Sequence, residues 1–223
     1  MPELLRERQQ LSDEAAAYIR DQITSGTWPP GKRVKPDDVA LALGISATPA
    51  REALQALRSE GFLDLIPRKG FSVAPLTGKD IRDLFRVHAL LAGELVARGT
   101  SIATDADIAE LHAMQHEMLA SWRRKDMQRL EEQNYAFHIF LYSLGRSPKV
   151  EWVLGLVARY SARGFYSDIE GWPEATAEEH EVILEAFSSR DSERARLAIE
   201  SHVVHSGELL ADHFDSRVQK PGT

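Results

Sequence analysis

From Leu11 onward, apolar and polar positions repeat with a helical period. Ala16, Ile19 and Ile23 fall on one face of a segment that Ser12 can cap and that runs to about Ser25. Gly26 ends it, and Trp28-Pro29-Pro30-Gly31 cannot continue it. A short helix follows over about Pro36–Leu43, with Gly44 as its stop. Ile45-Ser46 leads into a third helix. Thr48 suits its cap and Pro49 its first position, where the N–H that proline lacks would have no partner. Its apolar residues are modest (Ala50, Ala53, Leu54 and Leu57), and it ends at Glu60-Gly61. Phe62–Ile66 and Phe71–Ala74 then read as two short strands joined by Pro67-Arg68-Lys69-Gly70.

Beyond about Thr77 the pattern is helical nearly throughout. The spacing predicts about six or seven helices, over 78–98, 104–123, 126–144, 147–165, 174–188 and 191–214. Their punctuation is Gly99-Thr100, Gly145–Pro148, Ser167–Pro173 and Ser188–Asp191. There is no internal repeat or low-complexity tract. The expected fold is mainly α. A winged helix-turn-helix of three helices and a small β-hairpin wing occupies residues 1–75. An antiparallel all-helical bundle follows over 76–216, and 217–223 is expected to be a disordered tail.

Composition narrows the field. No apolar run in the 223 residues approaches the length of a membrane span, and the opening MPELLRERQQ has no apolar signal core. With no cysteine, disulfides and thiolate metal sites are excluded. These features lead us to expect a cytoplasmic protein. The net charge of −7 lies wholly beyond residue 75, because the first 75 residues carry 10 basic and 10 acidic side chains. Any contact with nucleic acid must therefore come from a local patch in the first region.

Two short helices joined by a glycine-containing turn, with a hairpin behind them, form a winged helix-turn-helix pattern. In that architecture the second helix enters the DNA major groove by its N-terminal end. Small residues with one arginine suit close approach there. Arg51 can donate twice to a guanine edge or grip phosphate. The Thr48 hydroxyl and the helix N-terminus suit a phosphate oxygen. Arg68 and Lys69 at the wing tip can reach the backbone or minor groove.

The order GTWPPGKRV…DDVALALGISATPAREALQALRSEGFLDLIPRKGFSV closely resembles the N-terminal domain of GntR-type transcription regulators over about residues 12–75. The all-helical remainder resembles the FCD-type effector domain of the FadR branch. The resemblance implies a homodimer on a palindromic double-stranded operator, with Ser46, Thr48, Arg51, Lys35, Arg33, Arg68, Lys69 and Gly70 as the residues facing DNA. The sequence departs from the family pattern twice here. The arginine expected after Ser46 is Ala47, and one expected near the start of the second helix is Asp37. A changed operator, weaker specific binding, or compensation by Lys32, Arg33, Lys35 and the wing follows from those losses.

The second region places polar residues on apolar stripes. Asn134 and His138 lie four apart beside Leu130, Phe137 and Leu141, so both point the same way. His180 falls on the stripe of Ile183, Leu184 and Phe187, and His202 on that of Ala195 and Ile199. His180 lies 11 residues before Asp191 and His202 lies 11 after it. In an antiparallel hairpin about that turn the two imidazoles sit level. Three imidazoles and an amide oxygen converging in a bundle suit a divalent metal: Zn2+, Ni2+ or Mn2+. A hydrogen-bonded polar core, or direct binding of a carboxylate, is the alternative. The FCD resemblance points to metal. Many members carry D-x-x-x-H, a later His and another 22 positions on, beside an effector pocket for a small carboxylate. Asn134 stands here for the Asp.

The family's R-x-x-L-E pattern, whose arginine often faces the effector, aligns His88 with that arginine. Arg159 and Arg163 are the other candidates for the effector. His112 and His116 have helical metal-pair spacing without a third ligand, and His205 and His213 read as surface or dimer residues. The reading is a ligand-responsive regulator, a repressor, without enzymatic activity. A metal sensor is the alternative. A metal-dependent hydrolase or lyase ranks behind both, because no H-E-x-x-H, paired carboxylates or nucleophile motif is present.

Overall fold

A computed structural model describes residues 3–161, 169 and 171–218. It divides into two compact units, Met1–Thr77 with the chain's end from His213, and Gly78–Asp212.

The first unit opens with α1 (Glu3–Thr24), which begins nine residues before the expected cap at Ser12. Glu, Leu, Arg and Gln dominate those residues and favour helix. Arg8 pairs with Glu52, and Arg20 with Glu60 at 3.0 Å. Both pairs join α1 to α3 (Ala47–Ser59). Between them, α2 (Pro36–Leu43) has the bounds that the sequence pattern predicts. Gly44, at φ 65°, ends it in the left-handed conformation, and its N–H bonds Ala40 O. The cap of α3 differs from expectation. Ser46 in extended backbone is the N-cap, so Thr48 and Pro49 lie inside the first turn.

The wing gains a strand. β1 (Arg33–Val34) pairs antiparallel with β3 (Gly70–Val73), which also pairs with β2 (Leu63–Ile66), giving the order β1-β3-β2. Arg33 faces Ser72, and Leu63 faces Val73. A two-residue strand has no period to read, so only the pairing reveals it. Ile19, Leu54, Leu57, Phe62, Leu63 and Phe71 build this unit's core.

The second unit is helical: α4 (Gly78–Ile102), α5 (Asp105–Arg123), α6 (Met127–Ser143), α7 (Pro148–Val157), α8 (Trp172–Ser188) and α9 (Ser192–Val218) as far as Asp212, the rest of α9 belonging to the first unit. Gly99-Thr100 does not break α4. Thr100 Oγ1 bonds Val96 O at 2.8 Å inside the helix. Gly99 serves close packing instead, since a Cβ there would stand 3.0 Å from Leu144 Cβ. α7 stops earlier than expected and passes into a 3-10 turn, Ala158–Tyr160. α9 continues through Arg217 and Val218, where a tail was expected. A capping box of Thr104 and Asp107 starts α5, and Asp126 caps α6.

The turn between α8 and α9 sets the site. Arg190 adopts φ 58°, and Asp191 N bonds Ala186 O at 2.9 Å, the signature of a Schellman cap. Asp191 then caps α9 through Arg194 N at 3.0 Å. The chain reverses within this turn. The register is confirmed by Arg194–Glu185 at 2.5 Å near the turn and His202–Glu179 at 2.7 Å farther along.

Candidate functional site

In the first unit, Ser46, Thr48 and Arg51 are exposed at the start of α3. Arg33, Lys35, Arg68, Lys69 and Gly70 are exposed too. Arg33 lies on β1, Lys35 is the N-cap residue of α2, and Arg68 and Lys69 form the turn between β2 and β3. Lys69 N bonds Ile66 O at 3.0 Å, closing that turn with Arg68 at φ 61°. A left-handed arginine is strained, yet it sets two basic side chains at the tip. Glu52, next to Arg51, gives its charge to Arg8. Among the described residues Arg51, Arg33, Lys35, Arg68 and Lys69 take part in no ion pair. Lys32 sits over the Trp28 ring, 4.8 Å from its centroid.

In the second unit, three histidines from three helices meet. His138 is on α6, His180 on α8 and His202 on α9, and one nitrogen from each lies within 4.8 Å of the others. The 11-residue offsets about Asp191 do bring His180 and His202 level, with ring centroids 4.8 Å apart. His138 stacks on His202 at 5.0 Å, and His180 on Phe137 at 4.4 Å. His180 is 0% and His202 3% exposed.

The hydrogen bonds orient two of these rings. His202 Nδ1 donates to Glu179 Oε2 at 2.7 Å, and His180 Nδ1 donates to Gln115 Oε1 at 3.1 Å. As neutral imidazoles, both rings then keep a lone pair on Nε2. His180 Nε2 is buried without a partner, as are Asn134 Oδ1 and His138 Nδ1. His138 Nε2 faces His202 Nε2 at 3.2 Å. If His138 donates there, its buried Nδ1 lone pair is orphaned. If the hydrogen is on Nδ1, two lone pairs oppose each other. Buried acceptors converging without a donor are costly, and a cation answers that cost. The 3.2 Å spacing also fits two nitrogens sharing one ion at bond lengths of about 2.0–2.1 Å.

Burial favours the neutral form of two of the three rings, His138 and His180. Burial pushes His180 and His138 well below the usual histidine range, and the neighbouring His202 adds to this. Burial would raise Glu179, but hydrogen bonds from His202 and His205 outweigh it and hold the carboxyl below its usual range.

The proposed effector residues are placed unequally. His88, on α4, is buried, and its Nε2 lies 3.5 Å from Tyr142 OH, whose ring is 5.7 Å from that of His138. Its Nδ1 is buried without a partner, and burial lowers its pKa to about 4. Arg159 lies in the 3-10 turn that packs on α4. Arg163 falls outside the described residues. Sequence reasoning missed Gln115, Tyr142 and Glu179. His205 is exposed, as its surface reading expects, and its Nδ1 binds Glu179 Oε1 at 2.5 Å. A lone Gln on the buried face of α5 was the available signal. His112 bonds Ser188 at 3.1 Å and stays apart from the triad.

Comparison with known proteins agrees with this division. Residues 11–73 match the bacterial regulatory proteins of the gntR family, and residues 83–205 match the FCD domain. The uncharacterized HTH-type transcriptional regulator YdhC of Bacillus subtilis (strain 168) is 28% identical, over 86% of this chain and 87% of its own. The gluconate operon transcriptional repressor of Bacillus licheniformis is 25% identical, over 85% of this chain and 81% of its own. The solved structure of Escherichia coli McbR/YncC superimposes with a TM-score of 0.70 at 23% identity, covering 87% of this chain and 93% of that one. With its winged helix-turn-helix at one end and its FCD domain at the other, this chain belongs to the GntR family and is a DNA-binding transcription regulator, not an enzyme.

Proposed function

We propose that the chain is a cytoplasmic repressor whose operator binding responds to a small organic acid held beside a divalent metal ion. The observation that carries this reading is the convergence of His138, His180 and His202 with buried, unpartnered acceptors. Those three and Asn134 would hold the ion. All four donors that would touch the ion are neutral, which favours an anion at a remaining coordination position. His88 and Tyr142 lie beside the triad and offer neutral hydrogen-bonding groups to the rest of the acid. The relative named the gluconate operon transcriptional repressor supports the repressor role.

On DNA, Arg51 reads a base edge or phosphate while Thr48 and the α3 N-terminus hold phosphate. Arg33, Lys35, Arg68, Lys69 and the Gly70 backbone flank them. A homodimer places two such units on a palindromic operator. Support for self-association comes from the exposed apolar side chains Trp152 and Leu156 on α7, 64% and 38% exposed. The effector acts by binding the DNA-competent and incompetent states unequally.

The test begins by selecting operator fragments from random DNA. Binding is then measured with Zn2+ or Mn2+ alone and with each metal plus a panel of small hydroxy- and dicarboxylic acids. Expected is a shift of about 5–150-fold in operator affinity that needs both metal and acid. A shift with metal alone would make the ion itself the signal. No shift under any combination would end the reading.

A further inference from the structure

Glu179 has its two oxygens committed to different histidines. Oε2 accepts from His202 Nδ1 at 2.7 Å, and Oε1 from His205 Nδ1 at 2.5 Å. His202 is buried and His205 exposed, so the carboxylate bridges the inside of the bundle to its surface. On the other side, Gln115 is 2% exposed. Its Oε1 accepts from His180 Nδ1 at 3.1 Å, and its Nε2 donates to Ala177 O at 3.1 Å. The second bond fixes which end of the amide meets the ring. Which nitrogen of an imidazole carries the proton is set by the partner the other nitrogen finds. Free imidazole side chains favour hydrogen on Nε2, so both partners here impose the reverse.

His138 has no such partner: its Nδ1 is buried and unpaired. Its ring is oriented by stacking on His202 and by the tilted Tyr142 ring at 5.7 Å. The support of the triad is thus uneven. Glu179 is also the one carboxylate among the described residues bonded to a triad ring.

We propose that Glu179 and Gln115 are positioning residues that hold His202 and His180 as Nδ1–H tautomers, with both Nε2 lone pairs turned into the centre, and that Glu179, clamped from outside by His205, supplies the negative charge that the neutral Asn134 does not. The metal consequence rests on the reading above; the tautomers do not depend on it.

The experiment uses the full chain with 15N-labelled histidine. Long-range proton–nitrogen spectra of metal-free protein report each tautomer, and competition with a chelator reports Zn2+ affinity. Expected are Nδ1–H forms for His180 and His202 in the native chain. Gln115→Leu returns only His180 to the Nε2–H form, and Glu179→Leu returns only His202. Each of these variants weakens Zn2+ binding by about 10–100-fold. Glu179→Gln keeps an acceptor and so keeps the His202 tautomer, but loses affinity through charge alone. His205→Ala loosens the clamp and costs less. Thermal unfolding of the metal-free variants separates these effects from misfolding, and Gln115→Ala or Glu179→Ala stands in if a Leu variant does not fold.

Nε2–H tautomers in the native protein would overturn the proposal. So would unchanged Zn2+ affinity in both Leu variants of a native chain that binds zinc. Native affinity in Glu179→Gln would remove the charge role. A native chain that binds no zinc, yet shows both tautomers and their selective loss, would support the positioning and overturn the metal reading.

Discussion

Arg51, Arg68 and Lys69 stand exposed on the winged unit and take part in no ion pair among the described residues. His180 and His202, in the helical unit, are almost wholly buried and bound to Gln115 and Glu179. The first arrangement suits a partner that brings its own charge. Phosphate neutralises the arginines and lysines, and solvent keeps them until then. The second suits a small ion or molecule that must satisfy what the core leaves open. Exposed cations cost the fold little, whereas converging buried lone pairs cost it a great deal. Disruption should therefore register mainly as stability in one unit and mainly as affinity in the other.

The largest effect is expected in the helical core. Phe137 is 0% exposed and stacks on His180. Phe137→Ala should destabilise the fold by about 3–5 kcal/mol, measured by denaturant unfolding. It should also loosen the triad, seen as weaker metal retention. A loss below about 1 kcal/mol would mean that the stack carries little of the packing.

Acid should act next. Burial lowers His88 from 6.5 to about 4, so the unfolded chain takes up its proton first as pH falls. Stability from this group is complete above pH about 6.5, is lost progressively toward pH about 4, and amounts to about 3 kcal/mol. His138 and His180, pushed down by the same cause, act in the same direction. Unfolding free energy against pH should thus be less steep, but not flat, in His88→Gln. An unchanged profile would contradict the burial account.

On the winged unit, Arg51→Ala should cost about 1–3 kcal/mol of operator affinity and leave thermal stability unchanged. If the loss is uniform across all DNA sequences, Arg51 grips phosphate; if confined to one base pair, it reads that base. The smallest effect sharpens the contrast most. Arg68 holds φ 61° at the wing tip. Arg68→Gly should stabilise the unit by up to about 1 kcal/mol while weakening DNA binding and reducing its salt dependence. A stabilised wing with undiminished DNA binding would remove Arg68 from the interface.

Much of this was legible in the sequence because it is local. Gly44, the bounds of α2 and the two long wing strands follow from period and punctuation. The level placement of His180 and His202 follows from equal offsets about one turn. The misses are long-range. β1 forms only through Arg33 and Val34 meeting Ser72 and Phe71. The early start of α1 draws on pairing with Glu52, 44 residues away. Gly99 looked like a break but is a packing contact with Leu144. The roles of Glu179 and Gln115 belong to hydrogen bonds between helices, which no spacing within one helix encodes.

On the reading proposed above, His138, His180 and His202 with Asn134 hold a divalent ion. Metal content per chain, measured after purification without added metal, tests it most directly, beside a His138→Ala/His180→Ala double variant shown to be folded. Close to one equivalent is expected in the native protein and none in the variant. A native chain that stays metal-free even after incubation with Zn2+, Ni2+ and Mn2+ would contradict it.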